Sequence, residues 1–187
     1  MPLSASRTPV RCLWAFLKGQ WQFTRAIVDA RASTTTLVEG TACWAADAIE
    51  DAASAGPVPA VPLALRYTER GQLLPAVSPP IETRAAYEWR LRPQDGVSPP
   101  RAAVTIIAAA ADVHFEDGRF FHTCDLRSGA CDVRHLCGAD EYLGTFRALS
   151  EHLLEVTWRV RGPRKDYDSR TRYTRDSGES AVAHTAH

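Results

Sequence analysis

The sequence predicts an all-β protein: an antiparallel up-and-down β-barrel of about ten strands, preceded by a short N-terminal helix. Three observations carry that prediction. Apolar and polar residues alternate with a period of two along much of the chain, the pattern of strands with one wet face. Gly, Pro and Asp signals separate these runs at short intervals. Gly19-x-Trp21 stands at the head of the first run, where a barrel would close on itself.

The elements follow in order. Val10, Leu13, Trp14 and Leu17 form one apolar stripe at helical spacing, suited to lie across the end of a barrel as a plug. From Gly19 the period changes to two, with Trp21, Phe23 and Ile27 alternating with Gln20, Gln22, Thr24 and Ala26. Runs at Thr34 to Trp44 and Val61 to Leu74 come next. Ile81, Ala85, Tyr87, Trp89 and Leu91 then alternate with charged residues. Ala103 to Phe115 and Arg119 to Leu126 flank Asp117-Gly118, a tight-hairpin pair in which Gly118 supplies the positive φ of the turn. Asp132 to Cys137, Tyr142 to Leu149, the run Leu154, Val156, Trp158, Val160, and Tyr167 to Arg175 complete the set. Residues 47–62 and 93–101, rich in Ala, Pro, Ser and Gly, read as insertions within a single domain over 10–175. Residues 1–9 and 176–187 carry no period and read as disordered.

At 187 residues the chain suffices for one domain with a substantial core. Lys plus Arg equals Asp plus Glu, 22 of each, so no excess of positive charge favours nucleic acid or a membrane surface. The longest mainly apolar run, Ala102 to Val113, falls short of the roughly 20 residues that span a bilayer. Five cysteines are an odd number, which argues against a secreted disulfide framework and for a reducing compartment. The apolar segment Cys12 to Leu17 is too short for a signal-peptide core. The compartment expected is the cytoplasm. Ser4, Ser6, Arg7, Thr8 and Arg11 keep a mitochondrial presequence as the alternative.

Gly19-x-Trp21 at the first strand, with arginines in the last, resembles the structural signature of the calycin superfamily of lipocalin-like barrels. That resemblance implies an arginine from the final strand, Arg172 or Arg175, crossing the Trp21 ring as a cation–π contact. A broader set of blocks, "FLKGQWQFTRAIVD", "LRYTERG", "TRAAYEW", "HFEDGRFFH", "HLCGADEYLGTF" and "WRVRGPRKDYDSRTRYTR", resembles the family catalogued as domain of unknown function 6314. This resemblance implies a small lipocalin-like barrel and brings no catalytic residues.

Function must then be read from the inward faces. In several strands those faces mix polar with apolar residues: Arg25 and Asp29 with Trp21, Phe23 and Ile27; Tyr67 and Glu69 with Leu63 and Leu65; Thr83 and Tyr87 with Ile81 and Trp89; His122 with Phe120, Cys124 and Leu126. Buried polar groups need partners, so this is either a self-satisfied network, such as Arg25 with Glu69, or a ligand cavity with a few orienting groups. The reading adopted is a small-molecule-binding barrel. Tyr87, His122, His135 and Tyr142 would orient a partly apolar ligand, and Arg25 and Lys165 would meet an acidic moiety. Gly19, Trp21, Asp117, Gly118, Trp158 and Arg175 are assigned structural roles. The alternatives are an enzyme with His122 or His135 as general base, and a barrel that binds only proteins. The spacing of Cys124, Cys131, His135 and Cys137 suits a structural zinc site poorly, so no metal is expected. Haem, held by His122 or His135, is the one cofactor the pattern leaves open.

Overall fold

The computed structural model describes residues 7–46, 64–74, 79–92 and 109–175. Both insertions and the C-terminal tail named above lie outside the described residues, as do residues 61–63 and 103–108 of two expected strands. One helix, α1 (Leu13–Leu17), precedes ten strands: β1 (Gly19–Asp29), β2 (Thr34–Ala46), β3 (Ala64–Leu74), β4 (Ile81–Arg92), β5 (Ala110–Phe115), β6 (Phe120–Asp125), β7 (Ala130–Cys137), β8 (Asp140–Ser150), β9 (Leu153–Arg161) and β10 (Asp166–Thr174).

All ten belong to one antiparallel sheet, in the order β6-β5-β4-β3-β2-β1-β10-β9-β8-β7. Neighbours in sequence are neighbours in space, and β1 joins the two halves by pairing with β2 on one edge and β10 on the other. The sheet curls into a nearly closed barrel whose free edges are β6 and β7. Period-two alternation accounts for the inward positions of these strands: Trp21 and Phe23 of β1, Trp44 of β2, Leu65 and Tyr67 of β3 and Leu154 of β9 are all buried.

Gly19, the glycine two residues before Trp21, has a backbone role. Its φ is +116°, a backbone conformation that L side chains rarely adopt, and it turns the chain from α1 into β1. Leu13, Phe16 and Leu17 of α1 are buried across this end of the barrel as the expected plug. The Trp21 Nε1 donates to the Leu17 carbonyl at 2.8 Å, and the Arg175 guanidinium lies 4.5 Å from the centre of the Trp21 ring. Of the two arginines proposed for that contact, Arg175 makes it, while Arg172 faces outward to Glu155. Val10 is buried but precedes the helix, its amide donating to the Leu126 carbonyl at 3.1 Å. The chain is already fastened at Thr8, whose amide donates to the Ala148 carbonyl, inside the stretch expected to be disordered.

The β5–β6 hairpin forms at Asp117-Gly118 as expected. Gly118 has φ +82°, and Asp117 accepts from both the amide and the side chain of Arg119. One register shift changes a face. Val113 pairs with His122, but His114 pairs with Phe120, so Phe121 is an extra residue in β6. This bulge puts Phe121 beside His122 on the inner side and leaves Phe120 54% exposed. Phe120 was assigned inward with His122 from strict alternation; the bulge is why that assignment fails. Asp29 is corrected likewise, because its carboxylate caps the β1–β2 turn by accepting from the amides of Arg31 and Ala32. Among the described residues no helix is long and apolar enough to cross a membrane.

Truncating Trp21 to Ala should therefore destabilise the protein by about 3–5 kcal/mol, the range for large buried aromatics. Arg175→Ala, which removes a contact at the barrel's rim, should cost roughly 0.5–1 kcal/mol. Urea unfolding monitored by circular dichroism checks both, and a Trp21→Ala midpoint equal to wild type would contradict the closure.

Candidate functional site: an aromatic cavity inside the barrel

The barrel encloses a cavity of about 390 Å³. Its lining includes Ile27, Thr83, Tyr142, Tyr167 and Ser169, toward the end where β1, β3, β5, β7 and β9 finish and away from the α1 plug. Near the strand ends on this side, Val28, Leu37, Leu74, Ile81, Phe120 and Leu136 are exposed.

One wall is polar and already self-satisfied. The Arg25 guanidinium donates to both carboxylate oxygens of Glu69, at 2.9 and 2.7 Å, and its Nε donates to Thr171 Oγ1 at 2.8 Å. Tyr67 donates its hydroxyl to the same carboxylate and meets the Tyr173 hydroxyl at 3.1 Å. Glu69 is only 5% exposed. Burial opposes the charge on Arg25, but the bond to Glu69 and the neighbouring tyrosines outweigh it and hold the guanidinium charged. Burial, then the charge of Glu69 and its neighbours, pushes Tyr67 well above the usual phenol range. The five groups form a closed, net-neutral unit.

The remaining walls are aromatic. Tyr67, Tyr87, Phe121 and Trp158 stack in series, with ring centres 5.8, 5.7 and 5.3 Å apart. Deeper in, Trp44 packs against Trp21, Tyr67, Trp89 and Tyr173. Burial, followed by the Glu69 charge, raises Tyr87 to about 12, so its hydroxyl keeps its proton. His122 is 3% exposed and surrounded by Trp89, Phe121, Phe146 and Trp158. Burial depresses its pKa to about 4, so it is neutral at pH 7.

Four side chains that line the cavity carry buried polar atoms with no hydrogen-bond partner among the described residues: Trp44 Nε1, Thr83 Oγ1, Trp89 Nε1 and His122 Nδ1. An indole N–H can only donate, so the two tryptophans lack acceptors.

Of the six residues selected from sequence for binding, Arg25, Tyr87, His122 and Tyr142 line this cavity, as does Trp158. His135 and Lys165 are placed one contact behind it. His135 Nδ1 is 3.0 Å from the Phe121 carbonyl oxygen, across the gap between β6 and β7. Lys165 donates to Tyr142 at 2.7 Å and pairs with Asp140 at 2.8 Å; these partners raise its pKa. Sequence reasoning passed over Trp44, Phe121, Thr171 and Tyr173 as site residues. Alternation alone could have found Thr171 and Tyr173, which share a face with Ser169 and Tyr167, whereas Phe121 was hidden by the bulge. Among the described residues, no group of three or more His, Cys, Asp and Glu could hold a metal ion.

Two measurements probe this arrangement. Glu69→Gln leaves Arg25 charged in a largely buried place and should cost on the order of 3 kcal/mol in urea unfolding. His122 works through pH. Its folded pKa of about 4 lies below the ordinary 6.5, so the unfolded chain takes up the proton first as pH falls. The stability from neutral His122 is therefore fully present above pH 6.5 and declines between 6.5 and 4, by about 3 kcal/mol in total. His122→Phe should lose that part of the pH dependence, and an identical slope in both proteins would contradict the burial of a neutral imidazole.

One solved structure shares the architecture. The S-type phycobiliprotein lyase CPES from Guillardia theta superposes with a TM-score of 0.63 at 11% identity, covering 92% of this chain and 96% of that one. A redesigned β-barrel, mFAP1, bound to DFHBI, is more distant, with a TM-score of 0.39 at 10% identity over 89% of this chain and 100% of the other. No curated protein matches the sequence. The model of a family of unknown function, DUF6314, matches residues 17–175, nearly the whole barrel from the end of α1 through β10, and the chain belongs to that family.

Proposed function

We propose that the protein binds a small, largely aromatic molecule inside the barrel, admitted through the mouth opposite α1. The observation that carries this reading is a cavity of about 390 Å³ lined by side chains with buried, unpartnered polar atoms. That volume falls within the roughly 300–1,000 Å³ of small-molecule sites, which combine apolar walls with a few oriented polar groups. Leaving a buried donor unpaired costs about 1–3 kcal/mol, and a ligand acceptor would recover that cost.

The same geometry narrows the ligand. Arg25 and Lys165, proposed as partners for an acidic moiety, are each closed on a carboxylate, Glu69 and Asp140. A ligand carboxylate would have to displace one of these. A neutral, flat molecule bearing carbonyl-type acceptors fits better, stacking on Tyr87 and Trp158 and accepting from the indoles of Trp44 and Trp89. Such a ligand is favoured over haem, because His122 is packed among the rings of Trp89, Phe121, Phe146 and Trp158. Binding is also better supported than proton transfer, because His135 is engaged with the Phe121 carbonyl and His122 is locked among rings.

Native mass spectrometry of the full chain purified from its own cells should show a retained small molecule. Ser169 lines the cavity, and Ser169→Phe should fill it and abolish retention without lowering the melting temperature. In parallel, a neutral apolar dye such as Nile red should bind saturably to wild type and not to Ser169→Phe. Equal dye binding by both would overturn the reading. A saturable haemin Soret shift that His122→Ala abolishes would replace it with haem binding.

A further inference from the structure

The ladder is missing at one place in the barrel, between β6 and β7, and two cysteines face each other there. Cys124 lies near the end of β6 and Cys131 near the start of β7, on either side of a turn closed by the Gly129 amide donating to the Leu126 carbonyl at 2.8 Å. Their Sγ atoms are 3.0 Å apart. Cys124 is wholly buried, whereas Cys131 is partly accessible to solvent.

We propose that Cys124 and Cys131 form an oxidisable dithiol, whose disulfide reversibly clasps the two free edges of the sheet. Nothing in the binding reading requires this pair, so either can fail alone. An S–S bond between the two thiols would require only a small further approach. Their environments also differ in the useful direction. The hydrogen bond from Cys124 lowers Cys131, while burial raises Cys124, so Cys131 is the readier thiolate.

With a hydroperoxide as oxidant, the chemistry balances in two steps. The Cys131 thiolate attacks one peroxide oxygen; the O–O bond breaks, an S–O bond forms, and hydroxide or its alcohol equivalent leaves after protonation. Cys124, losing its proton, then attacks the Cys131 sulfur; the S–O bond breaks, the S–S bond forms, and water leaves. Two thiols are oxidised by two electrons and one peroxide is reduced. In a compartment that keeps thiols reduced such a bond is transient, and a thiol reductant restores the pair. The clasp would sit two residues along β6 from His122 and fix the one wall of the cavity that lacks a backbone ladder.

The test uses the full chain, treated with hydrogen peroxide, then unfolded in urea in the presence of iodoacetamide and digested with trypsin without reductant. Cleavage after Arg119, Arg127 and Arg134 places the two cysteines in different peptides. The expected product is Phe120–Arg127 linked to Ser128–Arg134, about 2 Da below the sum of the two free-thiol peptides, with the three other cysteines alkylated. Dithiothreitol should reverse the link, and the oxidised protein should melt at a higher temperature than the reduced one. Cys131→Ser should give no linked peptide and leave Cys124 alkylated. Recovery of all five cysteines alkylated, of Cys131 as sulfinic acid with Cys124 still alkylated, or of either cysteine bonded to a different one would overturn the proposal.

Discussion

The ladder between β1 and β10 pairs Gln22 with Thr174 and Asp29 with Tyr167, joining strands almost a whole chain length apart. Because β1 also pairs along its length with β2, it has no free edge, and both halves of the sheet must curl from it. The interior is a consequence. Arg25 reaches Thr171 because the two are register partners across that ladder, and the contact of Phe23 with Tyr173 has the same origin. The knot at the end of the strand secures it: Gly19 turns the chain, Trp21 caps α1, and Arg175 covers Trp21 while donating to the Lys18 carbonyl.

A charged pair inside a barrel is costly unless its hydrogen-bonding capacity is met. Here it is met. Glu69 accepts twice from Arg25 and once from Tyr67, and Arg25 spends its remaining nitrogen on Thr171. Such a unit fixes the relative rotation of β1, β3 and β10, and through Tyr67, which stacks on Tyr87, its rigid polar wall adjoins the rings of Tyr87, Phe121 and Trp158. The polar wall is full and the aromatic side retains unpaired donors. This asymmetry favours a ligand that brings acceptors and an apolar face over one that brings charge.

At the β6–β7 seam, side chains replace the backbone ladder. The bulge at Phe121 sets that ring between Tyr87 and Trp158, and the Phe121 carbonyl receives His135 from the facing strand. Farther along, the paired thiols of Cys124 and Cys131 close the gap. A seam held by stacking and thiols can yield where a ladder cannot, since each ladder bond that opens leaves two backbone groups unpaired. It is the natural place for the wall to respond to its surroundings.

Local pattern determined much of this protein. Period-two alternation located all ten strands, Asp117-Gly118 marked a hairpin, and Gly19-x-Trp21 with the terminal arginines marked the closure, because each depends on residues adjacent in sequence or on one strand's two faces. The inward mixture of Arg25, Glu69, Tyr67 and Tyr87 was legible for the same reason. Which of these groups satisfy one another was decided only by the tertiary structure. Arg25 and Glu69 are 44 residues apart and Arg25 and Thr171 are 146 apart, distances over which only strand register specifies who meets whom. The bulge at Phe121 also lay beyond the sequence pattern, since a single extra residue reverses the faces without altering composition. His135 and Lys165 were set behind the cavity wall by partners on other strands, Phe121, Asp140 and Tyr142, and it is those long-range contacts that separate a residue lining the site from one supporting it.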